Sequence, residues 1–534
     1  MKRTTIYLGG EWVRPIGTGV REVENPATEQ VIGSVPAAGA ADIDRAVQAA
    51  RDALPAWSGL APARRASYLD TLWRNLDQRR EDIARTVTTE LGTPLTVSVN
   101  VQAGLPLTVL RSYVDLAGSY QFSERIGHSL VLKEPVGVVA AITPWNYPLH
   151  QIMAKVAPAL VAGCTVVLKP ADLTPFVAYL LADAVHEAGF PAGVFNMVCG
   201  PGSVIGAALA SHPGVDMVSF TGSTEVGRRI SALAADTVKK VSLELGGKSA
   251  NVILGDADLT AAVKVGVGNA MLNAGQTCTA WTRMLVPRSL YEQALDLAAV
   301  AARKYRAGDP MQAGTRLGPL ASAHQRASVL NHIQTGLSQG ARLVCGGDEV
   351  PDRGHFVPAT VLADVKPDDV VAQEEIFGPV LVVIPYADDD EAVAIANNSR
   401  YGLSGAVWSG DEDRALAVAR RLQTGAVDIN GAPFNPLAPF GGYKQSGIGR
   451  ELGHYGLDEF LQTKSIQQVQ GLEGHGEGIG GPWTGRRARG RGRRTTRAGA
   501  GPGAGSCPRR RRLPLRPVDD QRDGDTGLPA DPGA

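Results

Sequence analysis

Residues 136–148 read VGVVAAITPWNYP, a short apolar run that ends in a polar turn. An apolar run of this length, rich in valine, predicts a strand that is buried on both faces, as in a parallel sheet. Loops that leave the carboxyl ends of parallel strands form the ligand crevice of an open α/β sheet. Residues 136–142 therefore predict a central strand, and residues 143–148 predict one wall of a binding site.

The same combination of an apolar run and a polar loop recurs downstream at intervals of some two dozen residues, which is enough for a strand and a crossover helix. The runs predict a doubly wound α/β domain. They are CTVVL at 164–168, VFNMV at 194–198, MVSF at 217–220 and VSLEL at 241–245. A second α/β alternation extends from about 248 to 446, with candidate strands at 250–254, 342–345, 380–385 and 426–430.

A helix is predicted near the N-terminus. Residues 41–54 have apolar side chains at helical spacing behind Asp42. Aspartate is a preferred residue at the first position of a helix, where its side chain accepts hydrogen bonds from free backbone N–H groups. The pattern therefore predicts an amphipathic helix with Asp42 as its N-cap.

The chain has 534 residues, and its 53 basic and 53 acidic side chains give a formal net charge of zero. That balance averages two unlike segments, because residues 471–534 hold 13 Arg, no Lys and seven acidic residues, a charge of +6, against −6 for residues 1–470. The C-terminal segment also holds 16 Gly, seven Pro and only six Leu, Ile, Val or Phe residues, a composition typical of disorder. The sequence predicts a globular protein followed by a disordered Arg/Gly/Pro-rich tail.

Location and metal content are predicted from what the sequence does not contain. No stretch resembles a secretory signal, and no run approaches the roughly 18 apolar residues of a membrane span. The five cysteines are scattered and include no CxxC pair, which disfavours a disulfide framework and a zinc site. These features predict a cytoplasmic protein with no membrane partner and no bound metal.

Two loops carry glycines at positions where a phosphate group can bind. Gly202 and Gly206 resemble a glycine-rich phosphate turn, although a plain turn between a strand and a helix is the more common explanation. In TGSTEVG, residues 221–227, a predicted strand leads into a predicted helix whose free N–H groups can hold a pyrophosphate. The alternative is a capping box, with Ser223 or Thr224 as the N-cap.

Cys278 differs from the other cysteines because it lies in a polar, glycine-containing stretch, NAGQTCTAW. An isolated cysteine is more often buried filler than a nucleophile, since only an accessible thiolate attacks. Glu244 changes that judgement. It lies at the end of an apolar run, in SLELGG, where burial raises the pKa of a carboxyl group toward that of a useful base. An unpaired buried carboxylate costs stability, which favours a functional reason for its presence.

Seven motifs follow one another over about 330 residues: PWNYP, KPAD, FTGSTEVG, ELGGKS, GQTC, EEIFGPV and PFGGYKQSGIGRELG. In this order and spacing they resemble the NAD(P)-dependent aldehyde dehydrogenase superfamily, and most of all its non-acylating bacterial and mitochondrial-type members. The resemblance implies an aldehyde dehydrogenase-like α/β fold. Its parts are a doubly wound Rossmann-type NAD-binding domain at 1–116 and 136–246, an α/β catalytic domain at 247–446, and a small β-flap for oligomerisation at 117–135 with a C-terminal strand at 447–470.

The resemblance also implies the catalytic residues. Cys278 matches the nucleophile that attacks the aldehyde, and Asn146 matches the oxyanion donor, together with the Cys278 backbone N–H. Glu244 matches the general base that activates water to hydrolyse a thioester. Lys155 and Glu451 match a proton relay behind the site, for which a structural ion pair is an equal alternative. The implied reaction is oxidation of an aldehyde to a carboxylic acid.

The implied cofactor is NAD, with NADP as the alternative. Lys169 and Asp172 match the pair that holds the adenosine ribose, but many NAD-preferring relatives have glutamate where Asp172 stands. A carboxylate of either length repels a 2′-phosphate, which favours NAD. The full set of matched cofactor residues is Trp145, Lys169, Asp172, Gly202, Gly222, Ser223, Gly246, Glu375 and Phe377.

The implied substrate tunnel contains Tyr147, His150, Thr277, Thr279 and Phe434. A mostly uncharged lining with aromatic side chains suggests an apolar or aromatic aldehyde. His150 is also consistent with an ordinary buried histidine. The oligomerisation flap of the family implies a homodimer or homotetramer.

Three alternatives stay open at this point. A CoA-dependent acylating enzyme is one, although the matched base Glu244 favours hydrolysis. A non-catalytic or bifunctional scaffold is another, in which the Arg-rich tail binds nucleic acid, the only route by which we expect a nucleic acid partner. The third concerns the tail alone, because a frameshift or read-through of a GC-rich reading frame also gives this composition.

Overall fold

The first sheet is centred on the strand Val138–Ile142, as the sequence predicts. In this computed structural model, which describes residues 1–468, five neighbouring strands run parallel in the spatial order 3-2-1-4-5, so the predicted doubly wound sheet is confirmed. From edge to edge they are Phe195–Met197, Thr165–Lys169, Val138–Ile142, Met217–Thr221 and Lys240–Glu244. Antiparallel strands extend both edges, with Ile6–Leu8 and Glu11–Val13 on one side and Gly447–Ile448 on the other.

Successive residues of the central strand face two different cores. Val139 and Ala141 pack in one core, and Val138 and Ala140 pack in the other. The helix Pro148–Ala162, which follows the strand, is buried along its whole length. Burial on both faces explains why the strand is continuously apolar instead of alternating with polar residues.

A second sheet has its own hydrophobic core. Its neighbouring strands are parallel except for the first pair. All four candidate strands predicted between 248 and 446 belong to it, which confirms the second α/β alternation. In spatial order the strands are Arg342–Cys345, Thr360–Ala363, Val380–Tyr386, Arg283–Pro287, Ala250–Ile253, Gly405–Trp408 and Asp428–Ile429.

A small antiparallel sheet joins two segments that are distant in sequence. Its central strand Ser129–Pro135 pairs with Ser123–Ile126 on one side and with Leu461–Gln467 on the other. The flap strands and the C-terminal strand predicted from the sequence are therefore neighbours. A separate hairpin pairs Gly19–Asn25 with Gln30–Ala37.

The predicted N-terminal helix spans Ala40–Ser58, but Asp42 is not its N-cap. Gly39 occupies that position, and Asp42 lies in the first turn. Its carboxylate accepts hydrogen bonds from the backbone N–H groups of Gly39 at 2.9 Å, Ile16 at 2.8 Å and Gly17 at 3.0 Å. The N-cap prediction was wrong because Gly39, which has no side chain, holds that position. Asp42 reaches back from the first turn and accepts the hydrogen bond of the Gly39 N–H instead.

The remaining α-helices cover the sheets and connect their strands. They are Pro62–Asp77, Arg80–Leu91, Leu95–Val97, Gly104–Leu116, Phe176–Glu187, Ala207–Ser211, Thr224–Ala235, Leu259–Met271, Tyr291–Ala302, Ala323–Ser338, Val370–Gln373, Asp389–Asn397, Glu412–Ala419 and Gly453–Glu459. Within residues 1–468, π-helical turns are present at Ser98–Ala103 and Gly202–Gly206, and 3₁₀ turns at Leu272–Gly275, Arg288–Leu290 and Lys444–Ser446.

Residues 1–467 belong to one compact unit. Over residues 1–468, none of the helices combines the length and the apolar character that a membrane crossing requires. The predicted disordered tail at 471–534 lies outside the described residues.

Candidate active site

Asn146 lies in the loop that leaves the carboxyl end of the central strand. Its side chain is buried, and its Nδ2 donates a hydrogen bond to the Gln276 carbonyl oxygen at 3.1 Å. A side-chain amide nitrogen carries two protons, so one proton remains for the oxygen of a ligand. The structure thus places the predicted oxyanion donor against the segment that leads into Cys278.

The segment before Cys278 has a left-handed backbone. Asn273, Ala274 and Gly275 have φ values of 52°, 57° and 74°. Glycine and asparagine tolerate this region, whereas alanine does so at a cost of roughly 1–2 kcal/mol. Such strain persists only where the surrounding structure imposes it.

Gly275→Ala is expected to destabilise the protein by more than about 3 kcal/mol. A Cβ at Gly275 would lie 2.0 Å from the Gly378 carbonyl oxygen, and the residue also has a φ of 74°. Gly314→Ala is the matched control, because Gly314 has a φ of 90° but no atom within 4 Å of its added Cβ; it should cost about 1 kcal/mol. Urea denaturation measures both losses, and equal losses would contradict the expected collision with Gly378.

Cys278 is a half-buried residue whose thiol forms no disulfide. Its peptide packs against Gly247, where a Cβ would lie 2.4 Å from the Cys278 carbonyl oxygen. Burial, and then the negative charges of Glu375, Glu244 and Glu451, raise the pKa of the Cys278 thiol. The thiol is therefore protonated at neutral pH, and a base must remove its proton before it can attack.

Glu244 is the last residue of a parallel strand and is 3% exposed. Neither of its carboxylate oxygens has a hydrogen-bond partner, and a Cβ on Gly441 would lie 2.7 Å from Oε1. Burial, and then the negative charge of Glu451, raise the pKa of Glu244 well above that of an ordinary carboxyl group. A carboxyl group whose pKa is raised in this way is a stronger base once it has lost its proton, which suits a general base.

Lys155 and Glu451 form a buried ion pair between Nζ and Oε1. Lys155 Nζ also donates a hydrogen bond to Thr221 Oγ1 at 2.6 Å. The charges of both residues act on the pKa of Glu244, Glu451 raising it and Lys155 lowering it. The pair therefore lies close enough to Glu244 to influence its proton, while its role as a relay stays a prediction.

Lys169 and Asp172 lie at the carboxyl end of the second parallel strand. Lys169 Nζ is 3.3 Å from Asp172 Oδ1, and Arg21 Nε is 4.0 Å from the other carboxylate oxygen. Burial raises the pKa of Asp172 in spite of the opposing charge of Lys169. The Gly200 backbone N–H acts in the opposite direction and lowers the pKa of Asp172, so the loop that contains Gly202 lies near the same place.

Ser223 is the N-cap of the helix Thr224–Ala235, and its Oγ accepts a hydrogen bond from the Val226 N–H at 3.3 Å. Of the two capping residues considered, the structure selects Ser223. The Gly222 N–H donates to the Glu244 carbonyl oxygen at 3.1 Å. The start of this helix therefore lies beside the end of the strand that carries Glu244.

Four residues predicted for the cofactor come together from three loops. The Gly247 N–H donates to Glu375 Oε1 at 3.1 Å, and a Cβ on Gly246 would lie 2.1 Å from the other oxygen of that carboxylate. The Phe377 ring packs edge-on against Trp145 with ring centroids 5.4 Å apart. Burial raises the pKa of Glu375 to about 7.

The predicted tunnel residues are only partly assembled. Tyr147 OH and Thr277 Oγ1 are 2.8 Å apart, so these two side chains meet next to Cys278. Phe434 is 49% exposed and packs edge-on against Phe440, with ring centroids 6.0 Å apart.

His150 and Thr279 complete the predicted tunnel set. Burial, and then the charge of Lys155, lower the pKa of His150 to about 4, so its imidazole is neutral at pH 7. Its Nδ1 is buried without a hydrogen-bond partner. Thr279 is half-buried immediately after Cys278.

Comparison with known proteins gives a match over most of the chain. The model of the "Aldehyde dehydrogenase family" matches residues 12–466. The chain belongs to the aldehyde dehydrogenase family. It is 49% identical over 469 residues to 3-succinoylsemialdehyde-pyridine dehydrogenase of a Pseudomonas species, and the match covers 87% of this chain and 98% of that protein.

Solved structures of aldehyde dehydrogenases have the same fold. A cysteine-to-alanine variant of aldehyde dehydrogenase C from Pseudomonas syringae, complexed with NAD+ and octanal, has a TM-score of 0.86 and 45% identity over 87% of this chain and 96% of that one. An aldehyde dehydrogenase of Mycobacterium tuberculosis complexed with NAD+ has a TM-score of 0.86 and 41% identity over 88% of this chain and 99% of that one. The aldehyde dehydrogenase-like fold predicted from the sequence is confirmed.

Three buried residues near the site were not predicted from the sequence. Gln102 Nε2 and Asn273 Nδ2 each donate a hydrogen bond to the Asn146 carbonyl oxygen at 2.9 Å. Lys248 Nζ is buried without a partner, and burial lowers its pKa to about 7. The sequence could have indicated Asn273, because an asparagine close before a glycine often marks a left-handed turn. It could not have indicated Gln102, which lies 44 residues from its partner Asn146.

Proposed function

We propose that this chain oxidises an aldehyde to a carboxylic acid with NAD+. The observation that carries the proposal is the surroundings of Cys278: the Asn146 amide is bonded to the carbonyl oxygen two residues before it, and the buried, unpartnered carboxyl group of Glu244 acts on the pKa of the Cys278 thiol. The solved relatives with bound NAD+, one of them also with octanal, support it. The relatives compared above are all dehydrogenases, and they give no support to a scaffold without catalysis.

The first half of the proposed reaction takes place at Cys278. The Cys278 thiol loses its proton to solvent, and the sulfur then forms a bond to the aldehyde carbon while the carbonyl oxygen becomes an oxyanion. The free N–H of Asn146 Nδ2 and the backbone N–H of Cys278 stabilise this charge, and one such donor is commonly worth about 3–4 kcal/mol. The C–H bond then breaks with its electron pair and leaves a thioester on Cys278.

The second half of the proposed reaction is hydrolysis. Glu244 takes a proton from water, and the resulting hydroxide oxygen adds to the thioester carbon. The bond to the Cys278 sulfur then breaks, which releases the carboxylic acid and regenerates the thiol once a proton returns. We assign the relay of that proton to Lys155 and Glu451, whose charges act on the pKa of Glu244.

The residues present fit a dinucleotide cofactor. Lys169 with Asp172 offers a buried donor and an acceptor for ribose hydroxyls, and the N-terminus of the helix after Ser223 offers backbone N–H groups for phosphate. When bound, NAD+ accepts the hydride that leaves the substrate carbon. Around it we place Trp145, Lys169, Asp172, Gly202, Gly222, Ser223, Gly246, Glu375 and Phe377.

Asp172→Asn is expected to shift the preference between coenzymes toward NADP by about tenfold in the ratio of kcat/KM values. The change removes the carboxylate that repels a 2′-phosphate and frees Lys169, 3.3 Å away, to attract it. Steady-state rates with NAD+ and NADP+ measure the ratio. Asp183→Asn is the control, because Asp183 pairs with Arg3 at the surface; an unchanged ratio for Asp172→Asn would mean that another group selects the coenzyme.

The proposed substrate is an apolar or aromatic aldehyde that enters past Tyr147, His150, Thr277, Thr279 and Phe434. Octanal in one relative and the pyridine ring in the name of another support this class. Product analysis with octanal and with a pyridine-bearing aldehyde, with and without CoA, tests it. Carboxylic acid in every case is the expected product, and acyl-CoA would contradict the hydrolytic half of the reaction.

We also propose the assembly and location of the protein. The domain division is the one given by the resemblance, and the two sheets with separate cores support it. A homodimer or homotetramer is supported by the small sheet, whose outer strand Ser123–Ile126 is exposed along its whole length; light scattering of the purified protein measures the mass. The four cysteines among the described residues are free thiols, which supports a cytoplasmic location.

A further inference from the structure

We infer that Gln102 and Asn273 are positioning residues that hold Asn146 in the orientation of an oxyanion donor. The inference rests on the roles proposed above for Asn146 and Cys278. Its observation is a set of five buried polar side chains around the Asn146 peptide, each at most 3% exposed, which we name the amide cluster. Its members are Thr93, Gln102, Asn146, Asn273 and Gln276.

The Asn146 peptide is held from two sides. Its carbonyl oxygen accepts one hydrogen bond from Gln102 Nε2 and another from Asn273 Nδ2, both at 2.9 Å. A carbonyl oxygen has two lone pairs, and these two donors occupy both. The peptide plane from which the Asn146 side chain extends is therefore fixed by two other parts of the chain.

Asn273 also ties Asn146 to the segment that carries the nucleophile. Its second amide proton is directed at the Gln276 carbonyl oxygen at 3.3 Å, the same oxygen that accepts from Asn146 Nδ2 at 3.1 Å. Its Oδ1 accepts a hydrogen bond from Thr93 Oγ1 at 2.6 Å. One side-chain amide thus connects the Asn146 peptide to the carbonyl group two residues before Cys278.

Gln102 comes from a part of the chain that supplies no other residue to the proposed site. It lies in the π-helical turn Ser98–Ala103, and turns of this type are frequent at functional sites. Its Oε1 is buried without a partner, which costs stability. A positioning role for its amide nitrogen explains why a glutamine occupies this place instead of an apolar side chain.

Donors stabilise an oxyanion only when they are aimed at the position that the charge will occupy. A displacement of roughly 0.5 Å is enough to weaken such a site. Loss of the amide cluster should therefore slow hydride transfer and leave cofactor binding unchanged.

The test is Gln102→Met, which keeps the length of the side chain and removes the donor. We expect the rate constant of the first-turnover NADH burst to fall about tenfold, and the Kd for NAD+, measured by calorimetry, to stay within about twofold. In an Asn146→Ala background the same change should slow the burst less than about twofold further, because the donor that Gln102 positions is absent. A merely structural role would not produce this loss of additivity.

Asn75→Leu is the matched control, because Asn75 Nδ2 donates to the Ala184 carbonyl oxygen at 3.1 Å and its loss should leave the burst unchanged. Equal slowing by Gln102→Met in both backgrounds, or an unchanged burst in folded protein, overturns the inference. If Gln102→Met does not fold, the test uses Asn273→Asp, which removes the other donor to the Asn146 carbonyl oxygen. Aspartate tolerates the φ of 52° at this position. The burst rate of Asn273→Asp is then compared with and without Asn146→Ala. If Cys278→Ala is inactive but the burst rate of Gln102→Met is unchanged, the positioning role is refuted and the proposed function is not.

Discussion

Cys278→Ala is expected to abolish NADH formation from an aldehyde, with a fall in kcat/KM of at least about 10⁴-fold. A free aldehyde holds its hydrogen on a planar carbon that is itself short of electrons, so that hydrogen does not leave as hydride. Addition of the Cys278 sulfur makes the carbon tetrahedral and places a negative charge on its oxygen, which expels the hydride. Alanine removes the sulfur and keeps the backbone N–H at that position.

Cys278→Ala should lose the chemical step and keep NAD+ binding. Calorimetry of Cys278→Ala should give an NAD+ affinity close to that of the unchanged protein, since the proposed cofactor contacts come from other loops. Cys345→Ala is the matched control, because Cys345 is a buried free thiol on a strand of the second sheet. It should lower stability and retain turnover. Normal turnover by Cys278→Ala would show that another group is the nucleophile.

The sequence predicted those parts of the fold that depend on local patterns. The strand at 136–142 was predictable because both of its faces are buried, which leaves a continuous apolar run. The helix at 41–54 was predictable from its spacing, but its start was not, because Asp42 caps the helix from inside and bonds with Gly17, which is distant in sequence. Strand order within the second sheet has no local signal at all.

In the proposed site, too, some residues have a local sequence signal and others do not. Cys278 and Glu244 could be singled out because each is chemically out of place in its own stretch of sequence. The surroundings that tune them could not, because they come from contacts between distant residues. Burial together with several carboxylates raises the pKa of Cys278, and only the folded chain brings Glu375 near it. Likewise, Gln102 reaches Asn146 only through tertiary packing.

Glu244→Gln is expected to lower steady-state turnover by about a hundredfold or more, while the first turnover remains. Glutamine has nearly the same shape but cannot accept a proton from water, so the thioester on Cys278 should accumulate. Rapid mixing with NAD+ and octanal should show a burst of about one NADH per active site followed by a slow phase. Intact-protein mass spectrometry should then find the octanoyl group on Cys278.

The pH dependence of turnover tests whether Glu244 is the base more directly than the lower turnover of Glu244→Gln does. Burial and the charge of Glu451 raise the pKa of Glu244, so its protonated form, which cannot act as a base, extends to higher pH than for an ordinary carboxyl group. Turnover that is limited by hydrolysis should therefore rise with pH through this raised pKa, and Glu244→Gln should lose that rise.

Glu90→Gln is the matched control: Glu90 is also buried, with a pKa raised to about 8, but its carboxylate accepts hydrogen bonds from the N–H groups of Phe176 and Val177. Glu90→Gln should keep both the turnover and its pH profile, and a Glu244→Gln variant that behaved in the same way would mean that hydrolysis uses another base.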